Sequence, residues 1–367
     1  MRDVVMVHER FTELGGSEKV VREFGEIWPD GTIFAPIADE SVTDLLFPGR
    51  SVSVSPLQRL YRNDGRYAHL LPLLPAAVGS VDLSGAELVV VSHHAFGHRI
   101  KAPEGVPVLS YVHSPARWMW DPDLQELEMG SSASKWALTT FAASQRAADR
   151  RAAGRVTRMI ANSTIVAERI QNYWGLEADV IHPPVDTDFY TPDHRVQRED
   201  FFLLAGRMVP YKRPQVAVAA AAAAGVPLVV AGHGRAMDAC RAEAGPNVTF
   251  IGEVSDEDLR DLYRRCRALV FPGVEDFGIV PVEAQACGAP VIGVARGGLR
   301  DSIIHEVTGL LVPHQTDAAM QAAILADAIS AYDDFQFDSS TIRFHAESFG
   351  RDVFRKAIET VASRLLS

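Results

Sequence analysis

The chain is short of cysteine, has no excess of basic charge and contains no long apolar run, and each shortage excludes a class of protein. Its three cysteines in 367 residues, Cys240, Cys266 and Cys287, lie far apart without metal-type spacing. They are expected to behave as small buried hydrophobes in a reducing compartment, not as disulfide partners. A net charge of −11 argues against nonspecific nucleic-acid binding, which rests on basic surface. No apolar stretch approaches the roughly 20 residues that a spanning helix needs. The start, MRDVVMVHER, turns charged again at Glu9 and Arg10, so it reads as a strand of a cytoplasmic protein and not as a signal peptide. Internal repeats are lacking, and the only biased tract is the Ala-rich Ala217–Ala224.

What is present is an apolar content of 47%, enough for two packed cores of ordinary size. Strand-like runs alternate with helical patterns, the signature of parallel α/β architecture. In the first half the strands are Val4–Val7, Thr32–Ala35, Leu88–Ser92, Val108–Val112 and Arg158–Ala161. Helices are expected at Ser17–Ile27 and Ala133–Gly154. The segment Ile181–His194, rich in Pro, Asp and Thr, breaks the pattern and is expected to be a linker. The alternation then restarts with strands Phe201–Ala205, Pro227–Gly232, Val248–Ile251, Leu269–Phe271 and Val291–Val294. Helices follow at Pro214–Ala224 and at Ser255–Arg267, where Ser255 and Asp258 form a capping box. The expected fold is two doubly wound, Rossmann-like domains, residues 1–182 and 183–345, binding ligand in the cleft between their strand ends.

The segment VFPGVEDFGIVPVEAQA, Val270–Ala286, is the most informative. An apolar strand runs into a turn carrying Glu275, and a helix carrying Glu283 follows, with Pro281 in its first turn and Gly288 at its stop. Free N–H groups of Phe277, Gly278 and Ile279 at the helix start would attract an anion such as phosphate. Two carboxylates beside an anion site suit a ligand with both hydroxyls and phosphates, which describes a nucleotide sugar. Elsewhere, Gly15 and Gly16 precede a helix and permit close backbone approach. Arg207 and Lys212 follow strand Phe201–Ala205 and are candidates for the fixed positive charge that a leaving diphosphate needs, the default for isolated cations being an ordinary surface position. His113 follows strand Val108–Val112. Gly232 opens the turn Gly232-His-Gly234, where Met237 stands in place of the third glycine of a dinucleotide fingerprint.

These phrases resemble the retaining glycosyltransferases of family GT4, which have the GT-B fold. The resemblance rests on Gly15-Gly16-Ser17-Glu18, Tyr111-Val-His113-Ser-Pro115, Gly206-Arg207 with Lys212-Arg-Pro214, and the E-x7-E motif Glu275–Glu283, all in family order. It covers nearly the whole chain and is looser between about residues 40 and 85. It implies that a last helix, within residues 346–367, packs back on the first domain. The first domain would bind acceptor and the second the nucleotide-sugar donor. Among site residues it implies donor contacts from Gly15, Gly16, Arg207, Lys212, Gly232, Val254, Glu275, Phe277, Gly278, Ile279 and Glu283. Glu275 would meet the sugar hydroxyls, Glu283 the ribose, and His113 the sugar near its 6-hydroxyl. Catalysis would fall to His113, Glu275, Arg207 and Lys212, with no cofactor and no metal.

The phrase Tyr111–Asp121 looks most like mannosyltransferases of polysaccharide and O-antigen assembly, which use GDP-mannose. A UDP-glucose or UDP-N-acetylglucosamine donor is the alternative within the class. A hydrolysing UDP-N-acetylglucosamine 2-epimerase of the same fold is the alternative outside it, and the E-x7-E phrase argues against that. A paired-carboxylate glycosidase would leave the phosphate site unexplained. Asp121-Pro-Asp123 and Asp186-Thr-Asp188 are read as a turn and a linker phrase, not as metal ligands. His94 and His98 have the i, i+4 spacing of a zinc pair without a third ligand, so a loop or acceptor-facing role is expected. Glu18 is expected to anchor its loop or to meet acceptor, while Arg213 is expected to be solvated and Asp276 solvated or helix-capping. Two basic stretches could face a glycan acceptor, a polyprenyl-diphosphate acceptor or an anionic membrane surface. One is Pro56–Val78 with Arg59, Arg62 and Arg66. The other holds Lys135, Arg146, Arg150, Arg151, Arg155 and Arg158. Solvated faces over core leucines explain them equally well.

Overall fold

The computed structural model describes residues 3–62, 67–121, 132–333 and 336–367. Arg66, Pro122 and Asp123 fall outside the described residues, as does the side chain of Lys135. The chain divides into two compact units, Met1–Pro184 with Asp352–Ser367, and Val185–Arg351.

The first unit holds a seven-stranded sheet of order β3-β2-β1-β4-β5-β6-β7. Its strands are β1 Val4–His8, β2 Thr32–Ala35, β3 Val52–Val54, β4 Leu88–His93, β5 Val108–Val112, β6 Arg158–Ala161 and β7 Asp179–Val180. All neighbours pair in parallel, with Val7 opposite Val91 and Ser92 opposite Tyr111. Parallel strands covered on both faces need continuous apolar runs, and β1, β4 and β5 are buried at every position. The helix Arg351–Leu365 lays Phe354, Ile358 and Ala362 into this core beside Phe24 and Tyr111. Phe354 stacks on Phe24 at 5.8 Å, and Arg355 pairs with the buried carboxylate of Glu23 at 2.5 Å.

The second unit holds six parallel strands in the order β10-β9-β8-β11-β12-β13. They are β8 Phe202–Ala205, β9 Leu228–Ala231, β10 Val248–Gly252, β11 Leu269–Phe271, β12 Val291–Val294 and β13 Gly309–Val312. The sheet lies between two apolar layers, one around Tyr263, Phe271 and Val282, the other around Phe202, Val218 and Leu325. All three cysteines are free and buried. The segment expected as a linker is largely part of this unit. Val185 and Tyr190 are buried in its core, and Val185 bridges to Gly350. Tyr190 and Phe189 supply apolar surface that the surrounding Pro and Asp residues mask in the sequence.

Each sheet reverses its winding once, between β1 and β4 in the first unit and between β8 and β11 in the second. In open parallel sheets the strand ends at such a reversal leave a crevice, because the connecting helices depart to opposite faces. The residues at those strand ends are His8, His93 and their followers, and Ala205, Phe271 and their followers.

Candidate functional site

In the second unit the reversal brings two loops together. Lys212 lies on the loop after β8 and Glu275 on the loop after β11, and Lys212 Nζ stands 2.6 Å from Glu275 Oε1. Gly273 makes this possible, since a Cβ there would come within 3.1 Å of the Lys212 backbone. Burial works against the Lys212 charge, but Glu275 and Tyr211 together more than offset it and the pKa is raised; the nearby charge of Arg207 pulls the other way. Lys212 and Glu275 therefore share one partly buried place, where electrostatic interactions are stronger than in bulk water, and Arg207, itself exposed, is near enough for its charge to be felt there.

Beyond Glu275 the chain turns through Phe277, whose ring is buried against Phe349, and Gly278 into the helix Ile279–Ala286. Gly278 has φ 90° and the helix carries no side-chain cap. Glu283 is buried on this helix and accepts from the Tyr263 hydroxyl at 3.3 Å. Burial, then the Glu283 charge, pushes the Tyr263 pKa well up, so the phenol stays a donor. Asp276, expected solvated or capping, is buried at 9% exposure, and the cap position of the helix is taken by Gly278. Val254 packs on the same core. Gly232 follows β9 and donates to Gly252 O at 2.6 Å, while Met208 N donates to His233 O at 2.8 Å, so that this turn lies against the Arg207 loop.

Sequence reading missed the part that backs the Glu275 loop. Gly298 N donates to Glu275 O at 2.9 Å, and a Cβ on Gly298 would lie 2.2 Å from Phe277 Cα. The pair Gly297-Gly298 was the available signal, since adjacent glycines mark a close backbone approach. Arg213, expected to be solvated, is only half-exposed and is tied down. Its guanidinium donates to Gln315 O at 2.7 Å and Thr316 O at 3.0 Å, tying the loop after β8 to the one after β13.

In the first unit Gly15 precedes the helix that starts at Gly16. Glu18 anchors this loop, accepting from Gly15 N at 3.0 Å and Ser17 Oγ at 2.8 Å. At 2% exposure it has no surface to offer an acceptor. Burial alone would raise its pKa, but the His8 ring and the Ser17 hydroxyl bring it down to about 2. His113 follows β5, with Nε2 2.8 Å from Ser92 Oγ. The histidine cluster is structural. His93 bonds Ser110 at 3.0 Å, and His98 lies 3.1 Å from Asp149, which also accepts from Trp120 and Trp174. His98 is buried, so the acceptor-facing reading does not hold. Burial, with neighbouring positive groups, pushes the pKa of His93 and His94 well down.

The basic stretches are mostly accounted for. Leu57, Leu70 and Leu74 are core residues, while Arg59 and Arg62 are exposed. Arg146 and Arg150 donate to Met119 O and Tyr173 O and lie over the Trp120 ring, and Arg158 pairs with Asp179. Asp186 pairs with Arg351 and accepts from Phe189 N at 3.1 Å, so its oxygens already have partners. Among the described residues no helix is long and apolar enough to cross a membrane.

Models of known protein families match both units. The profile "Glycosyltransferase Family 4" matches residues 14–189, and "Glycosyl transferases group 1" matches residues 187–334. D-inositol 3-phosphate glycosyltransferase of Mycobacteroides abscessus is 35% identical over 185 residues, 44% of this chain and 42% of that relative. The match thus spans less than half of the relative's length. The namesake from Mycobacterium tuberculosis is 35% identical over 179 residues, 42% of this chain and 37% of its own. Among solved structures, sucrose-phosphate synthase from Thermosynechococcus elongatus aligns with TM-score 0.71 at 18% identity, covering 99% of each chain. Anabaena HepE, in complex with UDP and glucose, aligns with TM-score 0.69 at 16% identity over 98% of this chain and 99% of its own. At such identities the likeness shows the fold alone, two Rossmann-like units of the GT-B type.

Proposed function

We propose, for a chain that belongs to the GT4-type glycosyltransferases of GT-B fold, that it transfers a hexose from a nucleotide-diphospho-sugar to a hydroxyl acceptor with retention at the anomeric carbon. The observation that carries this reading is the Lys212–Glu275 pair at 2.6 Å, with Arg207 beside it and Glu283 on the helix that follows. Breaking the bond from the anomeric carbon to the phosphate oxygen leaves negative charge on the diphosphate. Arg207 and Lys212 stabilise that charge, Arg by a two-pronged grip and Lys as a compact point charge. Glu275 accepts from sugar hydroxyls, and Glu283 from the ribose with Tyr263 fixing its carboxylate. Gly15, Gly16, Gly232, Val254, Phe277, Gly278 and Ile279 shape the rest of the donor site, and His113 contacts the sugar. The acceptor attacks from the face the diphosphate leaves, and a phosphate oxygen takes its proton. No metal is needed in this scheme, because the fixed cations do a metal's work.

The donor follows from a finer reading. The phrase Tyr111–Asp121 favours GDP-mannose and a glycan or lipid-linked acceptor of polysaccharide assembly at the cytoplasmic membrane face. A UDP-sugar donor is the second reading, favoured by the UDP held in HepE. The test is release of nucleoside diphosphate in EDTA from GDP-mannose or UDP-sugars, with and without a panel of hydroxyl acceptors. Acceptor-dependent release with an α-configured product from an α-configured donor supports the reading. Acceptor-independent turnover of UDP-N-acetylglucosamine would mean an epimerase instead. Flotation with anionic liposomes tests the membrane surface, and protein left at the bottom of the gradient would remove it.

A further inference from the structure

The first unit contains a buried polar chain that the proposed chemistry does not use. From His113 Nε2 it runs 2.8 Å to Ser92 Oγ, and from Ser92 Oγ 3.1 Å to His8 Nδ1. His8 Nε2 then lies 3.3 Å from Glu18 Oε1, and the other Glu18 oxygen holds Gly15 N and Ser17 Oγ. His8 and Ser92 are fully buried, at the ends of the adjacent strands β1 and β4. Buried polar groups at such positions cost stability unless each donor meets an acceptor.

That requirement fixes the direction of the chain. His8 Nδ1 also lies 3.1 Å from the Ser92 carbonyl oxygen, which can only accept. Nδ1 of His8 must therefore carry hydrogen, since a bare lone pair would face another lone pair, and Nε2 carries one too, because the Glu18 carboxylate that it faces can only accept. Ser92 Oγ then has an N–H pointing at it, and its own hydrogen is free to go to His113. His113 Nε2 becomes the acceptor, and the ring's hydrogen sits on Nδ1. The opposite arrangement, with His113 Nε2 donating, would have Ser92 Oγ accept from both rings and leave the buried hydroxyl hydrogen without an acceptor.

We infer that Ser92 and His8 are positioning residues. They hold His113 as the tautomer with hydrogen on Nδ1, and they link its ring, through Glu18, to the Gly15–Ser17 loop. This rests on the reading above, in which His113 contacts the donor sugar. It adds that His113 works as an Nδ1–H donor with its other nitrogen already satisfied. Neither Ser92 nor His8 touches substrate. Each acts through the ring it orients, as partners behind a functional histidine commonly do.

The test begins on the whole protein without substrate. Long-range nitrogen–proton spectra of histidine-labelled protein should show His113 with hydrogen on Nδ1 and a bare Nε2. Hydrogen on Nε2 overturns the inference outright, whatever the protein's activity. Ser92→Ala should then give mixed tautomers at His113 and lower kcat on the order of 10-fold, with the donor KM changed less than about two-fold. Ser92→Thr, which keeps a hydroxyl, should restore both. If Ser92→Ala loses only stability while tautomer and kcat stay as in the parent, the residue is merely structural and the inference fails. A protein that transfers no sugar from any donor would sink the proposed function, whereas the tautomer of His113 would still be decided by the spectra alone.

Discussion

The two units use the same sheet geometry to build unlike polar sites. At the reversal of the second sheet the functional groups are charged and partly open, with Lys212 against Glu275 on loops that glycines allow to meet. At the reversal of the first, the polar side chains form a closed chain, and His8, Ser92 and Glu18 are all buried. A diphosphate must be met by charge held close to its oxygens, whereas a single sugar contact needs one ring held in one orientation. On the proposed reading the second unit supplies electrostatics and the first supplies order. Changes in the second should mainly cost rate and affinity, and changes in the first should couple rate to folding.

The largest expected effect is Lys212→Ala, which removes a fixed cation and leaves Glu275 without its ion pair. Loss of one such transition-state contact costs about 100- to 1,000-fold in kcat/KM, measurable by initial rates of nucleoside diphosphate release. An unchanged rate would mean that this loop does not meet the diphosphate. Gly298→Ala comes next. Its Cβ would collide with the Phe277 backbone, so the Glu275 loop must shift. Stability should fall by about 1–3 kcal/mol in urea denaturation, with donor binding weakened in parallel. A variant with parental stability and affinity would show that the backing contact is dispensable.

The first unit is probed by acid. Glu18 has its pKa lowered in the folded protein from 4.5 to about 2. The stability it confers is therefore present above about pH 4.5 and is lost as pH falls toward 2. Glu18→Gln should flatten that part of the stability–pH curve in urea titrations, and an identical acid limb would dissociate Glu18 from the loss. The smallest effect is Arg213→Ala. It removes two hydrogen bonds to carbonyls from a half-exposed side chain, which should cost about 1 kcal/mol. Turnover should stay close to the parent's, and a large fall in kcat would give Arg213 a part in the chemistry.

The same contrast governs what can be read from the sequence. The parallel strands were legible because apolar runs such as Leu88–Val91 and Phe202–Ala205 are continuous. The edge strands β3, β7 and β13 were not, since two to four residues show no period. Glu275, Lys212 and Arg207 stand out because charge at a strand end needs a reason. His8 and Ser92 do not, because nothing in VVMVH or VVVSH says that residues 84 apart will bond. Arg213 was read too simply for a related reason. A charged residue is usually solvated, and only the fold shows the carbonyls gathered around Arg213. The expected linker Ile181–His194 does contain the division between the units, but most of it belongs to the second, where Tyr190 is an anchor set among turn-forming residues.

The most direct measurement is calorimetric titration of the parent and of Lys212→Ala, in EDTA, with GDP-mannose, UDP-glucose and UDP-N-acetylglucosamine. The expected result is saturable binding of one nucleotide sugar by the parent and at least about 10-fold weaker binding by the variant. Binding that appears only when a divalent metal is restored, or that the variant leaves untouched, would contradict the claim that Arg207 and Lys212 hold the diphosphate.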